Sequence, residues 1–159
     1  MLKFVKITRD RTFQLMLPKR MTPESAGYDL QADLEEPFTL FPTESTVIPT
    51  GLLVGIPDGY QGLLFSRSGH GCVPTGVRAP NVKASNGVGV IDRDFRGELK
   101  VCLQNTGSVE KIINPGDRIA QLVLVQVYEG EAEWVASLDV TERTGGFGST
   151  GENIAKSNN

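Results

Sequence analysis

The stretch Glu98-Leu-Lys-Val-Cys-Leu-Gln104 decides the fold class of this chain. Leu99, Val101 and Leu103 occupy every second position of this stretch. The alternating positions are taken by Glu98, Lys100, Cys102 and Gln104. A period of two places the three apolar side chains on one face of an extended strand. Elsewhere, no window of a dozen residues keeps a 3.6-residue apolar period. The sequence therefore predicts strands rather than helices.

Apolar runs of strand length recur between turn signals along the chain. They cover residues 2–7, 38–41, 46–48, 52–56, 60–65, 88–91, 95–103 and 119–128. The last run is apolar on both faces from Gln121 to Tyr128, which predicts a strand buried on both sides. Two similar segments, 56–64 and 91–99, each predict a hairpin with a turn before an aromatic residue. The fold should be all-β, a sandwich or jelly roll with at most one short helix.

Composition limits the class of function. The 159 residues suit a single domain, and a net charge of −3 provides no general basic field for nucleic acid. No run approaches the roughly 18 apolar residues of a membrane span, and charged residues interrupt the first seventeen positions, so neither a span nor a secretory signal is expected. Cys72, Cys102 and the single His70 are too few for a zinc site or a disulfide scaffold. An intracellular, cytoplasmic location is expected, or a nuclear one if the source is eukaryotic.

The last seventeen residues differ from the rest. They are rich in Gly, Ser, Thr and Asn, which predicts a β domain over residues 1–142 and a flexible arm over 143–159. Glycines 146, 148 and 151 fit GxGxxG, but only eight residues follow, too few for a dinucleotide-binding fold. Glu152 stands where a phosphate-binding loop needs lysine. Backbone N–H groups with Ser149, Thr150 and Arg143 could still meet an anion, and the arm could close as a lid.

Three short stretches each allow two interpretations. Asp92 adjoins an apolar strand edge and is either a rigid general base or an ordinary turn residue. Asp29 either holds the water ligands of a metal or bonds its own backbone in a turn. The turn from Ser66 to Gly69 either meets an anion with one cation and two hydroxyls or is a plain polar turn.

Taken in order, five stretches resemble the five motifs of the trimeric dUTP pyrophosphatase (dUTPase) family. They are Ala26-Gly-Tyr-Asp-Leu30, Ser66-Arg-Ser-Gly69, Asn86-Gly-Val-Gly-Val-Ile-Asp-Arg-Asp-Phe-Arg-Gly97, Gly116-Asp-Arg-Ile-Ala-Gln-Leu122 and Arg143-Thr-Gly-Gly-Phe-Gly-Ser-Thr-Gly151. The resemblance implies a jelly-roll-like β subunit and a homotrimer whose active sites are shared between chains. It also implies Mg²⁺-dependent hydrolysis of dUTP to dUMP and pyrophosphate, which limits uracil in DNA and supplies dUMP for dTMP synthesis.

The same resemblance implies roles for the nucleoside contacts. Asp92 would activate the water that attacks the α-phosphorus. Asn86 and the main chain of the stretch Gly89, Val90 and Ile91 would read the uracil edge. Phe95, where the family usually has tyrosine, keeps an aromatic face to stack on the deoxyribose and exclude a 2′-hydroxyl.

Other residues would meet the metal and the phosphates. Asp29 resembles the acid that holds magnesium-bound waters, and the phosphate contacts would be Arg67, Ser68, Gly69 and Gln121. In the arm, whose motif is one residue shorter than usual, Phe147 would cover the uracil beside Gly148. The groups for the γ-phosphate would be Arg143, Ser149 and Thr150.

Two rival functions have distinguishing features. A dCTP deaminase would need an arginine and a glutamate at the aligned positions, which are Cys72 and Cys102. A nucleotide-binding protein without catalysis would use the long stretch 70–85 as a surface for a protein partner. Because the chemical groups for hydrolysis are retained, hydrolysis is the favoured prediction, and residues 70–85 remain a candidate partner surface.

Overall fold

The computed structural model describes residues 1–67, 77–78 and 89–139, with the backbone alone at 77–78. It divides between Glu129 and Gly130 into two compact units. Over the described ranges the chain forms strands and no helix. The strands are β1 (Lys3–Lys6), β2 (Gly27–Gln31), β3 (Phe38–Leu40), β4 (Ser45–Pro49), β5 (Leu52–Gly55), β6 (Tyr60–Phe65), β7 (Val77–Arg78), β8 (Gly89–Ile91), β9 (Lys100–Asn105), β10 (Lys111–Ile113) and β11 (Arg118–Gln126).

All strand pairs among the described residues are antiparallel. The largest sheet has the order β2-β11-β6-β8, and a second sheet has the order β4-β9-β7. Two further pairs, β1 with β5 and β3 with β10, complete the first unit. Among the described residues, no helix is long and apolar enough to cross a membrane.

One apolar core joins these sheets. The alternation in β9 is confirmed, because Leu99, Val101 and Leu103 are buried while Lys100 is exposed. The core also draws on both large sheets and on the two smaller pairs. Its other buried members are Leu15, Leu30, Ala32, Leu40, Ile48, Leu52, Val54, Ile56, Leu64, Ile113, Ile119, Ala120 and Leu122.

The two predicted hairpins are wrong, although their turns exist. Strand β5 pairs with β1, whereas β6 pairs with β11 and β8. Strand β8 likewise pairs with β6, and β9 pairs with β4 and β7. Each turn therefore leads the chain from a strand of one sheet to a strand of another. The Tyr60 N–H bonds Pro57 O at 3.3 Å and the Phe95 N–H bonds Asp92 O at 3.1 Å, which confirms equivalent turns.

Three other strand predictions need correction. The run predicted from residue 95 begins as a strand only at Lys100, because the turn at 92–95 and Gly97 come first. Strands β2, β7 and β10 were not predicted as apolar runs. In β11 only Ile119, Ala120 and Leu122 are fully buried, so residues 121–128 are not covered on both sides in this single chain.

A buried ion-pair network fastens the N-terminal segment to the sheets. The Arg11 guanidinium donates through Nε and Nη2 to the two oxygens of Asp33, and both side chains are almost wholly buried. Arg9 donates to Asp33 at 2.8 Å and to Glu98 at 2.9 Å. Glu98 in turn accepts from the Gly51 N–H. The hydrogen bond to Glu98 raises the pKa of Arg9 above its ordinary value, so this cation stays charged.

Candidate active site

The register of the large sheet brings three predicted site residues together. Asp29 on β2 faces Gln121 on β11, and Gln121 faces Phe65 on β6. Directly opposite residues of antiparallel strands point to the same side of the sheet. Arg67 follows Phe65 by two residues, and its Nε lies 3.3 Å from Asp29 Oδ1. The sheet therefore gathers Asp29, Arg67 and Gln121 from three separate motifs.

Asp29 is shared by two arginines. Besides Arg67, Arg118 donates from Nη1 to Asp29 Oδ2 at 3.0 Å. Arg67 Nη1 also donates to the Arg118 carbonyl at 3.1 Å. The exposed fractions of the side chains rise from 14% for Asp29 to 24% for Arg67 and 44% for Arg118. One carboxylate thus orients two guanidinium groups that solvent or an anion can reach.

Arg118 is a site residue that the sequence analysis did not identify. A strictly alternating strand would place residues 118 and 121 on opposite faces. The register of β11 against β2 shifts between Arg118 and Ala120, which is a β-bulge. The extra residue brings Arg118 to the side of Asp29. The quoted motif contains Arg118, but only the bulge reveals its contact.

The position of the Gln121 side chain explains why the first motif has a glycine at residue 27. A Cβ atom at Gly27 would overlap the Gln121 side chain, whose own Cβ would lie 2.9 Å away. The Gln121 amide donates from Nε2 to Ser66 O at 3.0 Å. Gly27 therefore leaves the space in which Gln121 reaches across to β6. We refer to Asp29, Arg67, Arg118 and Gln121 as the arginine–aspartate cluster.

The predicted base lies on a different part of the same sheet. Asp92 directly follows β8, and its exposed carboxylate opens a turn over residues 92–95, here the Asp92 turn. Arg93 donates to Asp58 Oδ1 at 3.0 Å and so joins this turn to the equivalent turn at 57–60. Phe95 is exposed on the same turn. Gly89, Val90 and Ile91 form β8 itself.

These two groups lie apart within one chain. Ile91 pairs with Gly62, whereas Gln121 pairs with Phe65. Three residues of strand separate the two pairs by about 10 Å along β6. Asp92 continues beyond Ile91, away from Phe65. The structure therefore unites Asp29, Arg67 and Gln121 but does not bring Asp92 and Phe95 to them.

The remaining predicted site residues cannot be placed. They lie outside the described ranges and are Ser68, Gly69, Asn86, Arg143, Phe147, Gly148, Ser149 and Thr150. The candidate partner surface at 70–85 also falls outside them, apart from the backbone of 77–78. In the part of the chain that the structure does describe, no three His, Cys, Asp or Glu side chains group as metal ligands.

Comparison with known proteins identifies the family of this chain. The dUTPase family model matches residues 14–151. The chain belongs to the dUTPase family. A curated relative, the deoxyuridine 5′-triphosphate nucleotidohydrolase of Paraburkholderia xenovorans, is 41% identical over 145 residues, which cover 90% of this chain and 94% of that one. The family resemblance deduced from the five stretches is therefore confirmed.

Solved structures of the dUTPase family share the fold. The Staphylococcus bacteriophage 80alpha dUTPase with dUPNHPP has a TM-score of 0.79 and 29% identity, covering 95% of this chain and 98% of that one. A mutant dUTPase from phage phi11 of S. aureus, described with a structural Mg(II) ion, has a TM-score of 0.72 and 26% identity, covering 88% and 99%. The predicted all-β jelly-roll fold is confirmed.

Proposed function

We propose that this chain hydrolyses dUTP to dUMP and pyrophosphate, and so limits uracil in DNA and supplies dUMP for dTMP synthesis. One observation supports the site assignment most strongly: residues of three separate motifs meet at Asp29. Two guanidinium groups beside one carboxylate form a local cationic surface on a chain whose net charge is −3. Such a surface suits a triphosphate, because arginine binds phosphate oxygens in a bidentate manner.

Asp92 is the proposed general base. Its carboxylate is exposed to water at the end of β8, on a backbone fixed by strand pairing and by the bond from the Phe95 N–H. Asp92 would take a proton from a water that attacks the α-phosphorus, and pyrophosphate would leave on the opposite side. A positioned general base contributes about 10²–10⁴ to the rate.

The donor set fits a magnesium ion that arrives with the substrate. Mg²⁺ keeps several waters and is usually held by one or two carboxylates together with substrate phosphates. Asp29 is such a single carboxylate, and each of its oxygens retains a lone pair beside its arginine partner. When bound, the ion would neutralise charge on the triphosphate. Asp29 would hold its waters, while Arg67 and Gln121 contact the phosphates.

A homotrimer with shared active sites completes the proposal. Asp92 must come within one water of the α-phosphorus while Arg67 and Gln121 contact the same triphosphate. Within one chain, the paired residues next to these groups are offset by about 10 Å along β6. Strands β8 and β11 also flank β6 on opposite sides, which adds two strand spacings, roughly another 10 Å, across the sheet. A site shared between copies can bring the two groups closer together than one chain does. In a closed assembly, the arginine–aspartate cluster of one copy can face the Asp92 turn of another.

The test measures pyrophosphate release from dUTP, dCTP, dTTP and UTP, each with and without Mg²⁺. We expect release from dUTP alone and dependence on Mg²⁺. Asp92→Asn should bind dUTP yet turn it over about 10²–10⁴ times more slowly. Asp94→Asn removes an exposed carboxylate of the same turn and serves as the matched control, with an unchanged rate. Undiminished turnover by Asp92→Asn would remove the proposed base.

A further inference from the structure

The ring of Phe95 rests directly on Gly97. A Cβ atom added at Gly97 would lie 2.8 Å from Cζ and 3.0 Å from Cε2 of that ring. The distance to Cζ is shorter than the separation of packed carbon atoms, so the ring would have to move. The bare Cα of Gly97 therefore allows the ring to lie close to the main chain two residues further along.

Arg96 bonds the main chain of the same turn. Its Nη1 donates to the Arg93 carbonyl at 2.7 Å and to the Phe95 carbonyl at 2.8 Å. The Phe95 N–H closes the turn onto Asp92 O. The Arg96 guanidinium is a charged donor shared by two carbonyls. It therefore restricts the rotation of the peptide unit before Asp94 and of the peptide unit after Phe95. The Phe95 backbone is thus fixed from both its N–H and its carbonyl.

The corresponding turn at residue 60 shows that this arrangement is particular to the second copy. Gly62 is the counterpart of Gly97, but the three atoms nearest to a Cβ there would belong to Leu122 and Ile56 in the core and to Ile91 on the neighbouring strand. At the counterpart of Arg96, the chain has Gln61 within a paired strand. Of these two turns, the Asp92 turn is the one in which a glycine contacts an exposed aromatic ring and an arginine bonds the main chain beside it.

We propose that Gly97 and Arg96 are positioning residues that fix the Phe95 ring and thereby set discrimination between deoxyribose and ribose. The proposal rests on the proposed function and on the stacking of Phe95 on the deoxyribose that the family resemblance implies. Exclusion of a single hydroxyl group depends on close contact between the ring and the sugar. A ring displaced by a fraction of an ångström therefore no longer excludes that hydroxyl. A displaced ring either fits deoxyribose less well or leaves room for a 2′-hydroxyl. Both changes lower the ratio of kcat/KM for dUTP to that for UTP.

The experiment compares that ratio for Gly97→Ala with the wild type. We expect a fall of roughly tenfold or more, since misplaced contact of about one methyl group has effects of this size. Gly55→Ala is the control, because a Cβ there meets only Lys3 at ordinary contact distance, and it should leave the ratio unchanged. A ratio within twofold of wild type for Gly97→Ala would overturn the role of Gly97.

Arg96 is tested by loss and conservative rescue. Arg96→Met keeps the apolar stem but removes both donated bonds, and we expect the ratio to fall through a higher KM for dUTP more than through kcat. Arg96→Lys restores an ammonium that can reach at least one carbonyl and should recover part of the ratio. Equal ratios in wild type, Arg96→Met and Arg96→Lys would overturn the role of Arg96.

A double-mutant cycle separates this inference from the function beneath it. If Gly97 acts through the ring, Gly97→Ala should change the ratio less than twofold when Phe95→Ala is already present. An undiminished effect in that background would reject the mechanism. If Phe95→Ala alone leaves the ratio unchanged, the proposed sugar contact fails instead. Binding of dUMP and UMP, followed by calorimetry, gives the same comparison without turnover.

Discussion

At the scale of single residues, Asp29 is defined by its partners. The sequence allowed it to be a turn residue, whereas the structure places it inside β2 with a guanidinium on each oxygen. Strand pairing fixes the direction of the Asp29 side chain, and the two arginines balance the negative charge of its carboxylate. The turn interpretation of Asp29 is therefore wrong, while its proposed contact with magnesium-bound waters remains a prediction.

Arg118 provides a prediction at this scale. Arg118→Met removes one of two cations beside Asp29, so substrate binding should weaken more than chemistry. We expect KM for dUTP to rise about tenfold with a smaller change in kcat. This is the pattern expected when a charged contact that is already made to the bound substrate is lost. Steady-state kinetics at fixed salt measure both constants. Lys100→Met, on the exposed face of β9, is the control, and an unchanged KM in Arg118→Met would refute the assignment.

At the scale of elements, the internal similarity between residues 56–64 and 91–99 has a structural meaning. Both segments form the same closed turn, and Arg93 of one turn bonds Asp58 of the other. Neither turn makes a hairpin, because the strands on its two sides belong to different sheets. Local sequence therefore specified the turns correctly but not the partners of the strands that they connect.

The ion-pair network between elements makes a second prediction. Asp33→Ala would leave the Arg11 guanidinium unpaired with its side chain only 5% exposed, whereas Asp33 itself is 3% exposed. Removing one partner of a buried pair costs about 3–5 kcal/mol. We therefore expect the free energy of unfolding in urea to fall by roughly that amount.

Glu35→Ala serves as the control for this measurement. Glu35 is an exposed acid two residues away, and its removal should change stability by no more than about 0.5 kcal/mol. If the free energy of unfolding of Asp33→Ala falls by less than about 1 kcal/mol, the ion-pair network does not stabilise the fold as its burial predicts.

At the scale of the whole molecule, the proposed sharing of each active site between copies predicts that two inactive variants complement each other. Arg67→Met and Asp92→Asn should each be nearly inactive alone. In trimers co-assembled from equal amounts, a site that takes Arg67 from one copy and Asp92 from another is intact in about a quarter of cases. We expect activity near that fraction of wild type. Light scattering should give about three times the 17.2 kDa chain mass.

The alternative outcome is equally definite. If one chain supplied both Arg67 and Asp92 to a site, the mixture would be no more active than its two components, because every chain would carry one defect. Mixing the folded variants without co-assembly provides the control, since trimers that do not exchange chains cannot form intact sites.

Sequence alone determined the fold class, the alternation of β9 and the order of the five family stretches. These properties are local, because they depend on side-chain period and on residue types at fixed spacing. Asp29, Arg67 and Gln121 were identified in the same way, from motifs rather than contacts. The sites that fall outside the described residues remain predictions.

Only the tertiary structure decided which strands pair, that Arg118 joins Asp29, and that Phe95 rests on Gly97. The pairing depends on contacts between residues distant in sequence, which no local period encodes. The contact between Arg118 and Asp29 depends on a bulge of one residue, which reverses the alternation of side chains in β11. The distance between Asp92 and the arginine–aspartate cluster follows from the β6 register, which fixes both groups on one sheet but keeps them apart.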